Sequence, residues 1–420
     1  PSDSSITEGY PSKIDIPSFI DFIISNELAS NVDAYEFSTF FHKDLNGKLR
    51  AGPLWDHNLT YGNDLFDWGF DRSHTDVWQF YDGNMGPKFW KDLFDDPIFN
   101  CYLTRRWQEL TATGAPLNSE QIFQNIDDIV ELISEAAERQ EIISGTTGEF
   151  TQQVLDIKSF ITERIDWISN QLNDTSLCND VDLPALVISK INYNPLVDDD
   201  QDSSDFEFIE ITNNSSSEID LTGIYFGGLG ITYQFPQDVT VSSNGKIYLS
   251  NNNESFNSRY GFDSFDEFSR SLSNDGEDIT LLDAYGNIID TVVYNDVLPW
   301  PEEADGEGSF LSLIGLDLDN SLASSWVAVS DNSQALSINH LNNLSHISLY
   351  PNPVEDLLII QSNTGSINKI EIFNIEGQRI LEYSSDRQRI EIDLMKIPSG
   401  LYFAKISSGN DIIAKKIIKK

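Results

Sequence analysis

Residues 31–63 read NVDAYEFSTFFHKDLNGKLRAGPLWDHNLTYGN, and no other stretch gathers so many side chains suited to chemistry. The Asn46–Gly47 pair between two β-rich runs predicts a strand, a tight turn and a second strand. Asp33 lies before this hairpin and Asp56 after it, so pairing of the strands brings both carboxylates to one end. With Asn31 and Asn58 as neutral oxygen donors, they form a candidate site for a hard cation. Mg²⁺ favours such an oxygen-only shell and commonly shares it with substrate phosphates. Phosphoryl transfer needs this pairing: one carboxylate holds metal, and another accepts or orients the nucleophile's proton. The plainer alternative is a capped turn, its Asp and Asn bonded to their own backbone and Trp55 packed in the core. His57 stands outside the metal shell, as a local hydrogen-bond partner beside Asp56.

The elements that must position these residues are mainly helical. Pro17 opens a helix over IPSFIDFIISNELASN, with Phe19, Ile20, Ile23, Ile24 and Leu28 on one stripe. Asp96–Pro97 is a cap and first turn for a helix carrying Phe99, Leu103, Trp107 and Leu110. Asn118 and Gln121 suggest a capping box ahead of Ile122, Ile126, Ile129 and Ile133. A further helix follows from the three-to-four spacing of Val154, Ile157, Ile161, Ile165, Ile168 and Leu172. The composition then shifts. Beyond Cys178, segments such as LVISKINYNP, DFEFIEITN, GKIYLSN and EDITLLDAYGNIIDTVVYN are short, β-rich and bounded by Asn, Asp, Ser and Gly, the pattern of a β-sandwich. The expected organisation is a multidomain α+β chain: residues 1–180, a sandwich over 185–330, a linker over 331–344 and a small β-sandwich over 345–420.

Composition narrows the function. The 420 residues hold 68 acids against 26 Lys and Arg, a formal charge of −42, which argues against nucleic-acid binding and adsorption to anionic lipid. No apolar run is long enough to cross a bilayer. Cys101 and Cys178 allow one disulfide without demanding it. The acidic run Asp198, Asp199, Asp200, Asp202 and Asp205 offers oxygens for weak Ca²⁺ binding but lacks EF-hand spacing, and a solvated loop is the simpler reading. Lys415, Lys416, Lys419 and Lys420 make a basic end on an acidic chain, either a solubilising edge or an address. The first residue is Pro, so the sequence is expected to be a fragment or a chain with its N-terminal part removed.

Resemblance adds specific expectations. ELASNVDAYEFSTFFHKDLNGKLRAGPLWDHNLTYGN and FWKDLFDDPIFNCYLTRRWQEL resemble the CotH kinase-like family, in the form found in large secreted proteins of Bacteroidetes. The likeness runs from about residue 17 to 170 and implies the mostly helical C-lobe of a kinase-like fold. It implies that Asp56 acts as the metal-binding aspartate, that Asp33 is needed for catalysis, and that Mg²⁺ (or Mn²⁺) and ATP are the cofactors. Many members carry a Trp-Asp-x-Asp pattern where this chain has Asn58; Asn ligates through its carbonyl oxygen but brings no charge. Nothing before residue 17 builds the N-terminal lobe that supplies a nucleotide-facing lysine, so a complete enzyme is expected to take it from upstream sequence.

LVISKINYNP, FEFIEITNNSSSEIDLTGIYF, LSNDGEDITLLDAYGNIIDTVVY and Trp326 resemble the lamin-tail domain, an immunoglobulin-like sandwich usually read as a binding or spacing module. LYPNPVEDLLI, IFNIEGQRIL, IPSGLYFAKISSG and the lysine-ending strand resemble the type IX secretion system sorting domain. Its motif positions here are Pro351, Asn352, Pro353, Gly377, Gly400, Lys415, Lys416, Lys419 and Lys420. This likeness implies a secreted or surface protein at the outer membrane, with translocon and shuttle proteins as partners. Two classes of function follow: an ATP-dependent phosphotransferase, or a non-catalytic surface adhesion protein or accessory subunit of an outer-membrane complex.

Overall fold

The computed structural model describes residues 3–63, 74–81, 84–146, 148–198, 200–228, 230–332, 336, 347–362, 365–374, 377–408 and 411–420. The chain divides into two compact units, Pro1–Leu183 with Asp283–Asn287, and Pro184–Leu282 with Ile288–Lys420.

In the first unit, helix α1 (Ile16–Ala29) begins where the Asp15 side chain accepts the Ser18 amide at 2.8 Å, with Pro17 in the first turn. Phe19, Ile20, Phe22, Ile23, Ile24 and Leu28 are buried, and Ser30 ends the helix in a left-handed conformation (φ 49°). The hairpin is present, but each strand has two residues: β1 (Phe41–His42) pairs with β2 (Arg50–Ala51), Phe41 opposite Ala51. The strand expected from residue 32 onward is instead a series of turns. The Phe37 amide bonds the Asp33 carbonyl, the Tyr35 amide bonds Thr39 Oγ1, and Tyr35 and Ser38 take positive φ. Side-chain-to-backbone bonds of this kind compete directly with a ladder.

Helices α2 (Phe89–Phe94), α3 (Pro97–Thr111), α4 (Ser119–Ser144) and α5 (Glu149–Gln171) follow. Asp96 caps α3 through the amides of Ile98 and Phe99. Asn118 caps α4 through Glu120, while Gln121 donates to Asn125 instead of closing the expected box. Trp90 organises the core, stacked on Phe22 and Phe41 with Tyr35 edge-on. Ile161 and Ile168 of α5 are buried as their spacing predicts, whereas α4 buries no residue and leaves Leu132 84 % exposed. Cys101 and Cys178 form a disulfide, the bond of an oxidising compartment.

The second unit is all sheet apart from short helices. Strands β3 (Leu186–Asn192), β4 (Phe208–Asn213), β9 (Lys246–Ser250), β10 (Asp266–Glu267), β13 (Ser309–Leu313) and β14 (Trp326–Ser330) form one sheet in the order β10-β9-β4-β3-β13-β14. Strands β6 (Tyr225–Gly227), β7 (Tyr233–Gln234), β11 (Glu277–Leu282) and β12 (Ile288–Tyr294) form a second, β12-β11-β6-β7. A small pair, β5 (Ile219–Asp220) and β8 (Thr240–Val241), and helix α6 (Asn253–Tyr260) complete this part. Ile188, Ile209, Leu249 and Leu311 of the first sheet share one core with Phe226, Leu281 and Val292 of the second. That shared core makes a sandwich.

Toward the C-terminus a three-stranded sheet, β15 (Ile347–Tyr350), β16 (Leu357–Ser362) and β19 (Arg389–Asp393), accompanies a four-stranded one. The latter holds β17 (Ile367–Asn374), β18 (Arg379–Arg387), β20 (Gly400–Ser408) and β21 (Asp411–Lys419), in the order β18-β17-β20-β21. Their common core contains Val354, Leu358, Ile360, Ile370, Ile372, Ile406 and Ile417. Most of the expected linker, residues 333–335 and 337–344, lies outside the described residues, as do 345 and 346.

Candidate functional site

The loops bearing Asp33 and Asp56 both hang from the C-terminal end of α1. The Val32 amide bonds the Leu59 carbonyl at 3.3 Å, tying one loop to the other, and the Tyr61 amide bonds the Ala29 carbonyl at 2.7 Å. A helix C-terminus carries negative partial charge and favours a cation nearby.

A buried hub holds this end of α1 in place. Glu27 and Arg164, 1 % and 0 % exposed, pair at 2.9 Å. Arg164 also donates to the carbonyls of Glu27, Thr75 and Val77, while Glu27 accepts the Gln79 amide and the Tyr35 hydroxyl. Burial raises the Glu27 pKa against the pull of Arg164, and burial lowers that of Arg164; desolvation outweighs attraction on both partners. Tyr35, two residues from Asp33, connects the hub to the loop. Asn84 braces the same turn from outside by donating to the Ala34 carbonyl.

Asp33 is partly exposed and its Oδ2 accepts the Ser38 hydroxyl at 3.1 Å. Asp56 is exposed, in the left-handed region (φ 60°) that Asp tolerates better than most residues. Among the described residues neither carboxylate is salt-bridged to Lys or Arg. Asn58 is exposed, and its carbonyl accepts the Asn63 side chain. His57 is half-buried; burial lowers its pKa, opposed by Asp56.

The two supporting residues, Asn31 and Trp55, are placed differently. Asn31 is 1 % exposed, with Oδ1 accepting the Asp33 amide and Nδ2 donating to Asn26. It shapes the loop rather than offering oxygen to a cation. Trp55 is 61 % exposed, edge-on to Phe40 with centroids 6.4 Å apart, so the packed tryptophan of the plainer capped-turn reading is absent. The sequence reading missed Glu27, Tyr35, Ser38 and Arg164. Of these only Tyr35 and Ser38, two and five residues from Asp33, lie close enough in sequence to carry a local signal.

The donor set suits Mg²⁺ in kind, with two carboxylates and one amide oxygen from adjoining loops. Among the described residues no group of three or more His, Cys, Asp or Glu is arranged to hold a metal. In the acidic loop, Asp202 bonds the Ser204 amide and hydroxyl and Asp205 meets Asn252 at 3.5 Å, while Asp199 lies outside the described residues. Among the described residues no helix is long and apolar enough to cross a membrane.

The motif residues at the other end of the chain are also ordered. Pro351, Asn352 and Pro353 leave β15 toward the last strand, and Gly377 (φ 74°) makes the turn into β18. Gly400 opens β20 opposite Lys419 of β21. Lys416 and Lys420 are exposed, Lys415 is partly so, and Lys419 is buried.

The fold therefore defines a multidomain chain with a helical, carboxylate-bearing part followed by two kinds of β-sandwich. Family models match it in the same order: CotH kinase protein over residues 1–168, Lamin Tail Domain over 182–296, and Secretion system C-terminal sorting domain over 348–420. The sandwich continues past the second match, since β13 pairs with β3 and β14 pairs with β13. The sorting domain marks a secreted or cell-surface protein. No curated protein matches the chain. Among solved structures it is similar to a DUF3244 family protein with an immunoglobulin-like β-sandwich from Bacteroides vulgatus, at 16 % identity and TM-score 0.17, over 18 % of this chain and 85 % of that one. It is also similar to PorZ of Porphyromonas gingivalis, a surface component of the type IX secretion system, at 10 % identity and TM-score 0.18. That match spans 52 % of this chain and 36 % of PorZ. Latent PorU from the same organism matches at 15 % identity and TM-score 0.15, over 59 % of this chain and 21 % of PorU. TM-scores this low describe local pieces rather than a common architecture.

Proposed function

We propose that the chain belongs to a surface-delivered phosphotransferase that uses ATP with Mg²⁺ or Mn²⁺. In this reading Asp56 holds the metal, Asn58 adds a neutral oxygen, and Asp33 accepts or orients the proton of the acceptor hydroxyl. One observation carries it: two loops tied by the Val32–Leu59 bond each present a carboxylate with no cationic partner among the described residues. A carboxylate left unpaired at an ordered loop is available for a metal. The test is phosphate incorporation by the full-length protein with Mg²⁺ or Mn²⁺. Activity that survives Asp56→Ala unchanged overturns the assignment.

A second reading, a non-catalytic surface binding protein or accessory subunit of an outer-membrane complex, is favoured by Asn58, which leaves Asp56 as the one carboxylate among residues 52–63. Nucleotide-dependent thermal stabilisation separates the two, because a ligand specific to the native state raises apparent stability. For export, the proposal is that type IX translocon and shuttle proteins recognise residues 348–420 and bring the chain to the outer membrane. Deletion of residues 345–420 is expected to leave the protein in the periplasm; unchanged surface display sinks this part alone.

A further inference from the structure

Strand β21 is the outermost strand of its sheet, and an edge strand normally presents a row of unpaired backbone groups. From Lys416 to Lys420 that row is filled. The Lys416 carbonyl accepts Asn352 Nδ2 at 2.6 Å, and the Ile418 amide donates to Asn352 Oδ1 at 2.8 Å. The Ile418 carbonyl accepts the Val354 amide at 2.8 Å, and the Lys420 amide donates to the Val354 carbonyl at 2.9 Å. These are successive groups along one side of the strand, because the backbone groups of alternate residues point the same way, and β20 pairs along the other side.

Asn352 can do this because an amide side chain carries a donor and an acceptor on one planar group, mimicking the N–H and C=O of a neighbouring strand. Aspartate has no donor for the Lys416 carbonyl. Pro353 has no amide hydrogen and adds nothing to the ladder itself. Val354, fully buried in the small core, anchors the segment.

We infer that Asn352 is a positioning residue of the sorting signal: its amide clasps the C-terminal strand, and a partner protein reads the strand end so held rather than the asparagine. The exposed Lys416 and Lys420 flank the clasp, so the partner surface that fits is acidic and binds a fixed strand, not a flexible basic tail. This rests on the reading of residues 348–420 as the export signal.

The test measures hydrogen exchange and surface display of the full chain for Asn352→Ala, Asn352→Asp and Ile418→Pro. In Asn352→Ala the Ile418 amide is expected to exchange about tenfold faster, the scale of one lost net hydrogen bond, with a matching fall in display. Asn352→Asp keeps the bond from the Ile418 amide but opposes the Lys416 carbonyl, and is expected to lie between wild type and Asn352→Ala. Ile418→Pro removes the clasped amide on an edge that tolerates proline; adding Asn352→Ala to it is expected to cause little further loss of display. Lost display with unchanged exchange in Asn352→Ala means the side chain is read directly and overturns the inference. Faster exchange with full display overturns it equally. Should Asn352→Ala unfold β16 and β17 as well, Asn352→Asp decides, and unchanged exchange there overturns the clasp. Failure of the underlying export reading appears separately, as normal display after deletion of residues 345–420.

Discussion

Two motifs carry the functional reading, and the molecule builds them in opposite ways. Around Asp33 and Asp56 the motif carboxylates are left open, while residues outside the motif do the holding: Glu27 and Arg164, 137 positions apart, are sealed in the core. Around residues 351–354 the motif side chain is itself consumed, its amide spent on the backbone of the last strand. The first motif keeps reactive groups and borrows its rigidity; the second is its own scaffold. On the functions proposed above, loss of function by mutation is expected to mean lost chemistry in the first case and lost structure in the second.

The sharpest way to break this comparison is to remove the borrowed rigidity. Arg164→Ala strands Glu27 in the core and orphans the carbonyls of Thr75 and Val77. It is expected to destabilise the helical unit by about 3–5 kcal/mol, the usual cost of leaving a buried charge unpaired. Asp33→Ala is expected to cost less than about 0.5 kcal/mol, as at an ordinary surface site. Denaturant unfolding of both variants checks the contrast; equal losses would make Asp33 a fold residue and erase the distinction. Opening the Cys101–Cys178 disulfide, which spans a sequence separation of 77, is expected to cost about 2–4 kcal/mol. The readout is the shift in unfolding midpoint under reducing conditions, with no effect on the clasp at Asn352.

The elements that hold the first site were legible where the signal was local. Asp96–Pro97, the stripe of α5 and the Asn46–Gly47 turn each announce themselves within a few residues, because caps, periodicity and turn chemistry are short-range effects. What positions Asp33 was not legible. A glutamate inside a helical stripe gives no sign of pairing with an arginine far downstream, and Asn31 looks the same whether it ligates a cation or bonds Asn26. The plainer alternative packed Trp55 in the core, as hydrophobicity predicts on average, but whether an aromatic is exposed is decided by what the rest of the chain leaves uncovered. The hairpin reading brought Asp33 and Asp56 together, and resemblance to known families is what gave each of them a role.

A smaller effect tests whether buried carboxyls in the sandwich are structural, as Glu27 is, or reactive. Glu207, 2 % exposed, accepts the Leu272 amide and is pushed by burial to about 8. Its unfolded value is about 4.3, so the folded state holds more protons between those values. Its contribution is full below pH ~4.3 and lost as pH rises toward 8. Glu207→Gln is expected to flatten this slope and to gain about 2 kcal/mol at pH 8, with little change at pH 4. Glu210 on β4 has the opposite sign: Lys190 and Lys246 overcome its burial and hold it at about 2. Its stabilisation is present above pH ~4.3 and lost as pH falls toward 2. Thermal melts of the wild type and Glu207→Gln from pH 4 to 8 read the first slope, and melts extended to pH 2 read the second.

The smallest effect on stability is the most informative about chemistry. Asn58 is exposed and its side chain is not part of the hub, so Asn58→Asp is expected to change stability by less than about 0.5 kcal/mol. If Asp56 and Asn58 share a metal, the added charge draws a hard cation more strongly, and Mg²⁺ affinity is expected to rise about tenfold, roughly 1.4 kcal/mol. Calorimetric titration with Mg²⁺ reads this directly, and Asp56→Asn in the same background is expected to cancel the gain. A gain that survives Asp56→Asn places the new charge on a separate ion, and no gain at all removes Asn58 from the shell. Either result would leave Asp56 without a second ligand on its own loop, and the open construction of the first motif would then favour a binding surface over a reaction.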